Sequence, residues 1–123
     1  MATVNPTINN DVSAHGNVRL VTWVLPTNGD AGAPIRLDRW SISSFSVFGS
    51  VVTSVALQGS NDADTPTNWN ALRDWGGASL AAVSAAGIYT PRDLPLWIRP
   101  VNTTGTNVTV QLAIHRQDQA QNA

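Results

Sequence analysis

Residues 108–115, VTVQLAIH, alternate apolar and polar positions without a break. Val108, Val110, Leu112 and Ile114 fall on one side, Thr109, Gln111, Ala113 and His115 on the other, the period-two signature of a half-buried strand. Residues 17–25, NVRLVTWVL, read as a second strand, rich in β-branched residues and closed by Pro26, with TNGDAGAP as the loop after it. Residues 35–37 read as a short strand or the start of the next one. In WSISSFSVF, residues 40–48, Trp40 and Ile42 share one face, while Phe45 and Val47 share the next, one residue out of step. That slip at Ser43-Ser44 predicts a β-bulge or a twist between layers. Gly49-Ser50 then reads as a turn into a strand over 51–58, with Val51, Thr53, Val55 and Leu57 on one side. Further on, 69–72 is a short strand and DWGG a turn, while SLAAVSAAG, residues 79–87, allows a helical turn or two or an extended path. Residues 94–101, LPLWIRPV, form a strand whose Pro95 and Pro100 cannot donate to a ladder, so it lies at an edge or pairs on one side only there. NTTGTN, residues 102–107, reads as a hairpin loop.

Short strands separated by turns, without a long helical period, predict an all-β fold: an antiparallel β-sandwich or jelly roll of about seven to eight strands. The sandwich spans residues 17–116 as one domain. Residues 1–16 read as an extended N-terminal arm, polar around Val4, Pro6, Ile8 and Val12, which become the expected contacts with a partner. Its Asn, Thr and Pro argue against a stable helix. Residues 117–123 form a polar tail that is expected to fray.

Composition narrows the function. The chain has 123 residues, a formal net charge of −1 and no cysteine. A near-neutral chain gives no nucleic-acid patch and no funnel for acidic substrates. Without cysteine there is no disulfide framework, thiolate metal site or thiol nucleophile. Every basic residue is Arg and every acidic residue Asp, with Lys and Glu absent. Arg presents a planar, bidentate donor suited to interfaces, although base composition and a β fold account for the bias as well. MATVNPTINN lacks the charged and apolar regions of a secretory signal, and no apolar run approaches the ~20 residues of a membrane helix. Two N-glycosylation patterns, at Asn102 and Asn107, read as chance matches in a Thr/Asn-rich chain.

The densest candidate for chemistry is LQGSNDADTPTNWNAL, residues 57–72. Asn61, Asp62 and Asp64 offer the hard oxygens that calcium takes, yet the mid-loop Gly and closing Glu of a calcium loop are missing. Side-chain capping of the turn is the simpler use of these residues. Trp69 and Trp75 flank turns, and with Asn61, Asp62 and Asp64 they outline a possible ligand or partner surface, a glycan included. Trp23, Trp40 and Trp97 lie inside apolar strands, where aromatic rings chiefly supply core area. His15 and His115 sit in no nucleophile-elbow context, and the aspartates lie beside Gly, Asn or Pro in loops. The expectation is a protein without enzymatic activity, cofactor or metal.

The run Val55-Ala56-Leu57-Gln58-Gly59-Ser60-Asn61-Asp62, with Trp69, Asn70, Ala71 and Leu72 after it, resembles the strand-turn-strand of discoidin-like (galactose-binding-like) sandwiches and of small virion proteins of tailed phages. Ala85-Ala86-Gly87-Ile88, Trp97-Ile98-Arg99-Pro100 and residues 108–116 continue that resemblance, which covers roughly residues 40–116. It implies a head decoration (cement) protein or another small virion protein: a virion structural protein on the capsid surface that binds the major capsid protein, often as a homotrimer. The other branch of the resemblance implies a carbohydrate-binding module or lectin. Discoidin lectins usually bring a signal peptide, which MATVNPTINN does not resemble, and often a disulfide, for which there is no cysteine, and the N-terminal third matches neither group.

Overall fold

The computed structural model describes residues 3–9, 18–37 and 40–116. Among them the chain is all-β: β1 (Thr3–Val4), β2 (Thr7–Asn9), β3 (Val18–Leu25), β4 (Ala31–Gly32), β5 (Ile35–Arg36), β6 (Trp40–Ser60), β7 (Asn70–Ala71), β8 (Gly87–Tyr89) and β9 (Trp97–Arg116). They form one sheet that curls into a sandwich, antiparallel except where β1 runs parallel to β4.

Two long strands are the spine. β6 and β9 stay paired from Trp40↔Arg116 to Ser60↔Trp97. This corrects two sequence expectations, because Gly49-Ser50 is not a turn and NTTGTN is not a hairpin loop. The two segments run opposite each other, with Val51 beside Thr106 and Val52 beside Gly105, so the ladder bends instead of breaking. Register shifts at Val52/Ser54 and Ser54/Val55 absorb the bend. Asn107 takes φ 51° there, and a Cβ on Gly49 would collide with the Asn107 carbonyl oxygen. The expected slip at Ser43 is present as a register shift between Ile42 and Ser44. It brings Ile42, Phe45 and Val47 onto the core side despite their mismatched phase.

The bend divides the sheet into two layers. One holds β2, β3, β8 and the adjoining halves of β6 and β9; the other holds β1, β4, β5, β7 and the remaining halves. One hydrophobic cluster fills the space between, drawn from β3 (Val21, Trp23, Leu25), β6 (Phe45, Val47, Leu57) and β9 (Ile98, Val110, Leu112). Trp23 crosses from one layer to the other: a Cβ on Gly32 would lie 2.6 Å from its ring and 2.6 Å from Pro100. Residues 79–87 form no helix, and Val83 instead makes an isolated bridge to Val55. Pro100 stands opposite Leu57 of β6, while the far side of β9 pairs at Ile98 and Val101, so the ladder there loses little from the missing N–H.

The N-terminal segment differs from an arm awaiting a partner. Over residues 3–9 it joins its own sheet, β1 beside β4 and β2 beside β3. The Val4 carbonyl accepts a hydrogen bond from Ala33 N at 2.7 Å, and Val4 packs on the core cluster. Pro6 is half-buried, whereas Ile8 on β2 is exposed. Val12 and His15 lie outside the described residues. Asn102 is fully buried, which rules out its glycosylation pattern as an attachment site in the folded chain.

Candidate functional site

Two regions compete: the 57–72 loop, which stands out in the sequence, and the outer face of the β2–β3–β9–β6–β8 layer, which does not.

The loop is held by its own polar groups. Asp62 Oδ2 accepts hydrogen bonds from Thr67 N at 2.7 Å and Asn68 N at 2.9 Å, and its Oδ1 accepts one from Asn68 Nδ2 at 3.1 Å. Asn61 Oδ1 accepts from Leu96 N at 2.9 Å, and the Asp62 carbonyl accepts from Trp97 Nε1 at 2.9 Å. Arg36 reaches across to the Ala63 carbonyl at 3.1 Å. Asp64 is exposed. Among the described residues no group of three His, Cys, Asp or Glu side chains could hold a metal ion.

The Thr67 backbone N–H, then the Asn68 backbone and side chain, hold the Asp62 carboxyl well below the usual carboxylate range. Because the folded value is the lower one, this contribution is complete above the unfolded value of about 3.9 and is lost as pH falls through the folded value. Asp62→Asn should therefore loosen residues 61–68 at neutral pH, seen as faster amide hydrogen exchange at Thr67 and Asn68. Unchanged exchange at both amides would contradict this account of the loop.

Beside the loop lies an open cleft of about 620 Å³, lined by polar groups that include Asn61, Asp62, Asn70, Arg73 and Asp93. Most of these are occupied. Asp93 Oδ2 accepts from Arg73 N at 2.9 Å and Arg73 Nε at 3.4 Å. Burial would raise the Asp93 carboxyl, but its hydrogen bonds to Arg73 and the charges of Arg73 and Arg92 outweigh that and leave it lowered. Trp75 is 68% exposed, whereas Trp69 is half-buried under Arg99, whose guanidinium carbon lies 4.2 Å from the ring centre. Arg99 also donates from Nε to Gln58 Oε1 at 2.9 Å, and burial lowers its pKa.

The stacking of Arg99 is part of a pattern. Arg19 and Arg116 lie over Trp40, at 4.3 and 6.0 Å, and Arg36 lies over Trp97 at 5.5 Å. Flat guanidinium groups cover the tryptophans that are only half-buried, which a Lys ammonium does with less contact area. This gives the all-Arg composition a structural use.

The outer face is built from the register. Thr7, Thr22, Gln111, Ser46 and Ile88 stand in one row across all five strands. The next row is Val24, Thr109 and Phe48, and the row on the other side is Asn9, Leu20, Ala113 and Ser44. None of these side chains is charged, and Val24 (54%), Phe48 (46%) and Ile88 (74%) are well exposed. The absence of charge continues to the tip of the sandwich, where Pro26, Asn28, Val51, Thr53, Thr104 and Thr106 surround a shallow hollow. The sequence carries the signal: residues 20–29, 40–61, 75–91 and 100–114 contain no charged residue. Read strand by strand, these runs look like ordinary core and turn; only the pairing places their outward positions side by side.

The fold also joins two residues that sequence spacing does not connect. Ser43, at the bulge, and His115 share a hydrogen bond of 2.7 Å between Oγ and Nδ1. Both are exposed. A nucleophile–base pair also needs an orienting group for the His and donors for an oxyanion. On this open surface the contact serves to satisfy the side chain at the bulge.

No family model matches the chain, and no curated protein matches it. Among solved structures, a cupin domain from Bordetella pertussis Tohama I is similar over 94% of each chain, with 14% identity and a TM-score of 0.46. That overlap is too loose to carry a correspondence of residues.

Proposed function

We propose that this chain is a non-enzymatic virion structural protein that decorates or cements a phage capsid as a homo-oligomer, binding the major capsid protein. The observation that carries the reading is the division of the surface. Around the 57–72 loop Asp62, Arg73 and Asp93 are bound into hydrogen bonds and an ion pair, and the outer sheet face and tip are left uncharged and partly apolar. Exposed apolar surface without charge marks protein contact sites, and interface cores are depleted of charge. The resemblance of residues 40–116 to small virion proteins supplies the capsid. A saccharide site in the cleft is the second reading, supported by its polar lining; it is the weaker one because Asp62 and Asn61 already serve the loop and Asp93 pairs with Arg73.

The test is co-sedimentation with capsids of the encoding phage that were assembled without this protein. Saturable pelleting at a fixed ratio to capsid subunits is expected. Val51→Asp, at the exposed and uncharged tip, is expected to weaken it at least tenfold with the fold unchanged by circular dichroism. Failure of the unmodified chain to pellet at any concentration would refute the capsid role.

A further inference from the structure

We propose that the outer face of the β2–β3–β9–β6–β8 layer is a self-association surface that stacks on the same face of a second copy about a two-fold axis. The inference rests on the homo-oligomer reading and names the surface that reading needs. Three properties of the face argue for a second copy as its occupant.

The first is charge. In a two-fold contact each side chain meets its own equivalents, so charged positions near the axis repel themselves. Three consecutive rows here hold only Thr, Ser, Asn, Gln, Ala and apolar side chains. A basic or acidic partner would have no counter-charge to meet on this face.

The second is shape. The Thr7-to-Ile88 row runs across five strands without a register shift, and apart from Gln111 the side chains along it are short or β-branched. Two such faces can approach to the ~10 Å spacing of stacked sheets. Val24, Phe48 and Ile88 stand out from the rows, so on stacking they leave water while the hydroxyl and amide side chains around them keep partners across the contact.

The third is area. Strands about 4.8 Å apart, with outward residues about 6.7 Å apart, give the three rows a footprint of roughly 400 Å² on each copy. Both copies together contribute roughly 800 Å², more with the tip included, against the 1,200–2,000 Å² or so of a stable complex. The face thus forms a concentration-dependent dimer with a dissociation constant of about micromolar or weaker, a contact suited to reinforcement on a lattice, where neighbours are already held close.

The chain contains no cysteine, so a single introduced one reports only on its own neighbours. Thr22→Cys, Gln111→Cys and Ser46→Cys sample the central row, and Ala78→Cys, on the exposed turn after Asp74, serves as control. Under mild oxidation at high protein concentration, at least one central-row variant is expected to form a disulfide-linked dimer and the control none. In sedimentation experiments, Phe48→Asp is expected to raise the dissociation constant at least tenfold while circular dichroism stays unchanged. An oligomer that Phe48→Asp leaves intact, with no central-row cross-link, would overturn the proposed surface while leaving the homo-oligomer reading in place; a trimer built on another contact gives that pattern. A chain that remains monomeric at every concentration would overturn both.

Discussion

Asn102→Leu is expected to cost about 3–5 kcal/mol of folding stability, a large part of the 5–15 kcal/mol or so that a domain of this kind holds. Asn102 is fully buried, and its Nδ2 donates to the carbonyls of Leu25 at 3.0 Å, Thr27 at 3.2 Å and Gly105 at 3.1 Å. The amide ties the end of β3 and its following loop to the bend of β9. Leucine fits the volume but leaves these carbonyls without that donor, at about 1–3 kcal/mol for each one that stays unsatisfied. The total falls below the full sum because Asn102 Oδ1 is itself buried with no hydrogen-bond partner, a burden that leucine removes. Asn102→Asp separates hydrogen bonding from packing. Its carboxylate would face three carbonyl oxygens, so its folded pKa rises above the unfolded value. The protonated form is favoured, and the variant should be less destabilised at pH 4 than at pH 7 relative to the parent chain. Urea unfolding followed by tryptophan fluorescence measures both; a loss under 1 kcal/mol for Asn102→Leu would contradict the account.

Trp23→Ala is the second large loss, also about 3–5 kcal/mol. The ring is fully buried at the centre of the cluster and meets β4 and β9 of the opposite layer at Gly32 and Pro100. Its Nε1 also donates to the Ala33 carbonyl at 3.0 Å. Alanine therefore opens a cavity where the layers join and strands an acceptor. Trp23→Phe refills most of the cavity but not the hydrogen bond, and should cost about 1–2 kcal/mol. Equal losses for the two variants would show that the hydrogen bond, and not the filled space, dominates at this position.

The strands and much of the core were legible because alternation is local. Val21, Trp23, Phe45, Val47, Val110 and Leu112 can be assigned to the core from periodicity alone, and the phase slip at Ser43 announces its bulge. The long strands were not legible. Gly49, Gly105 and Asn107 carry ordinary turn chemistry, and only the pairing of β6 with β9 shows that both strands pass through these residues and bend together. The N-terminal segment misled for a related reason. Val4 and Ile8 look isolated among polar residues, but one packs on the core and the other lies on an edge strand, a distinction made by β4 and β3. In the loop at 57–72, Asn61 and Asp62 are recognisable as turn-capping residues, but their partners at Leu96 and Trp97 are far away in sequence. The outer face was the least legible feature, because absence of charge has no motif and becomes a surface only when five strands are set side by side.

The central claim is that this molecule works by contact between copies and with a lattice. Sedimentation equilibrium of the unmodified chain across the micromolar range tests it most directly. The account predicts a mass that rises with concentration from 13.1 kDa toward a multiple of it. A mass fixed at that of one chain throughout would contradict it.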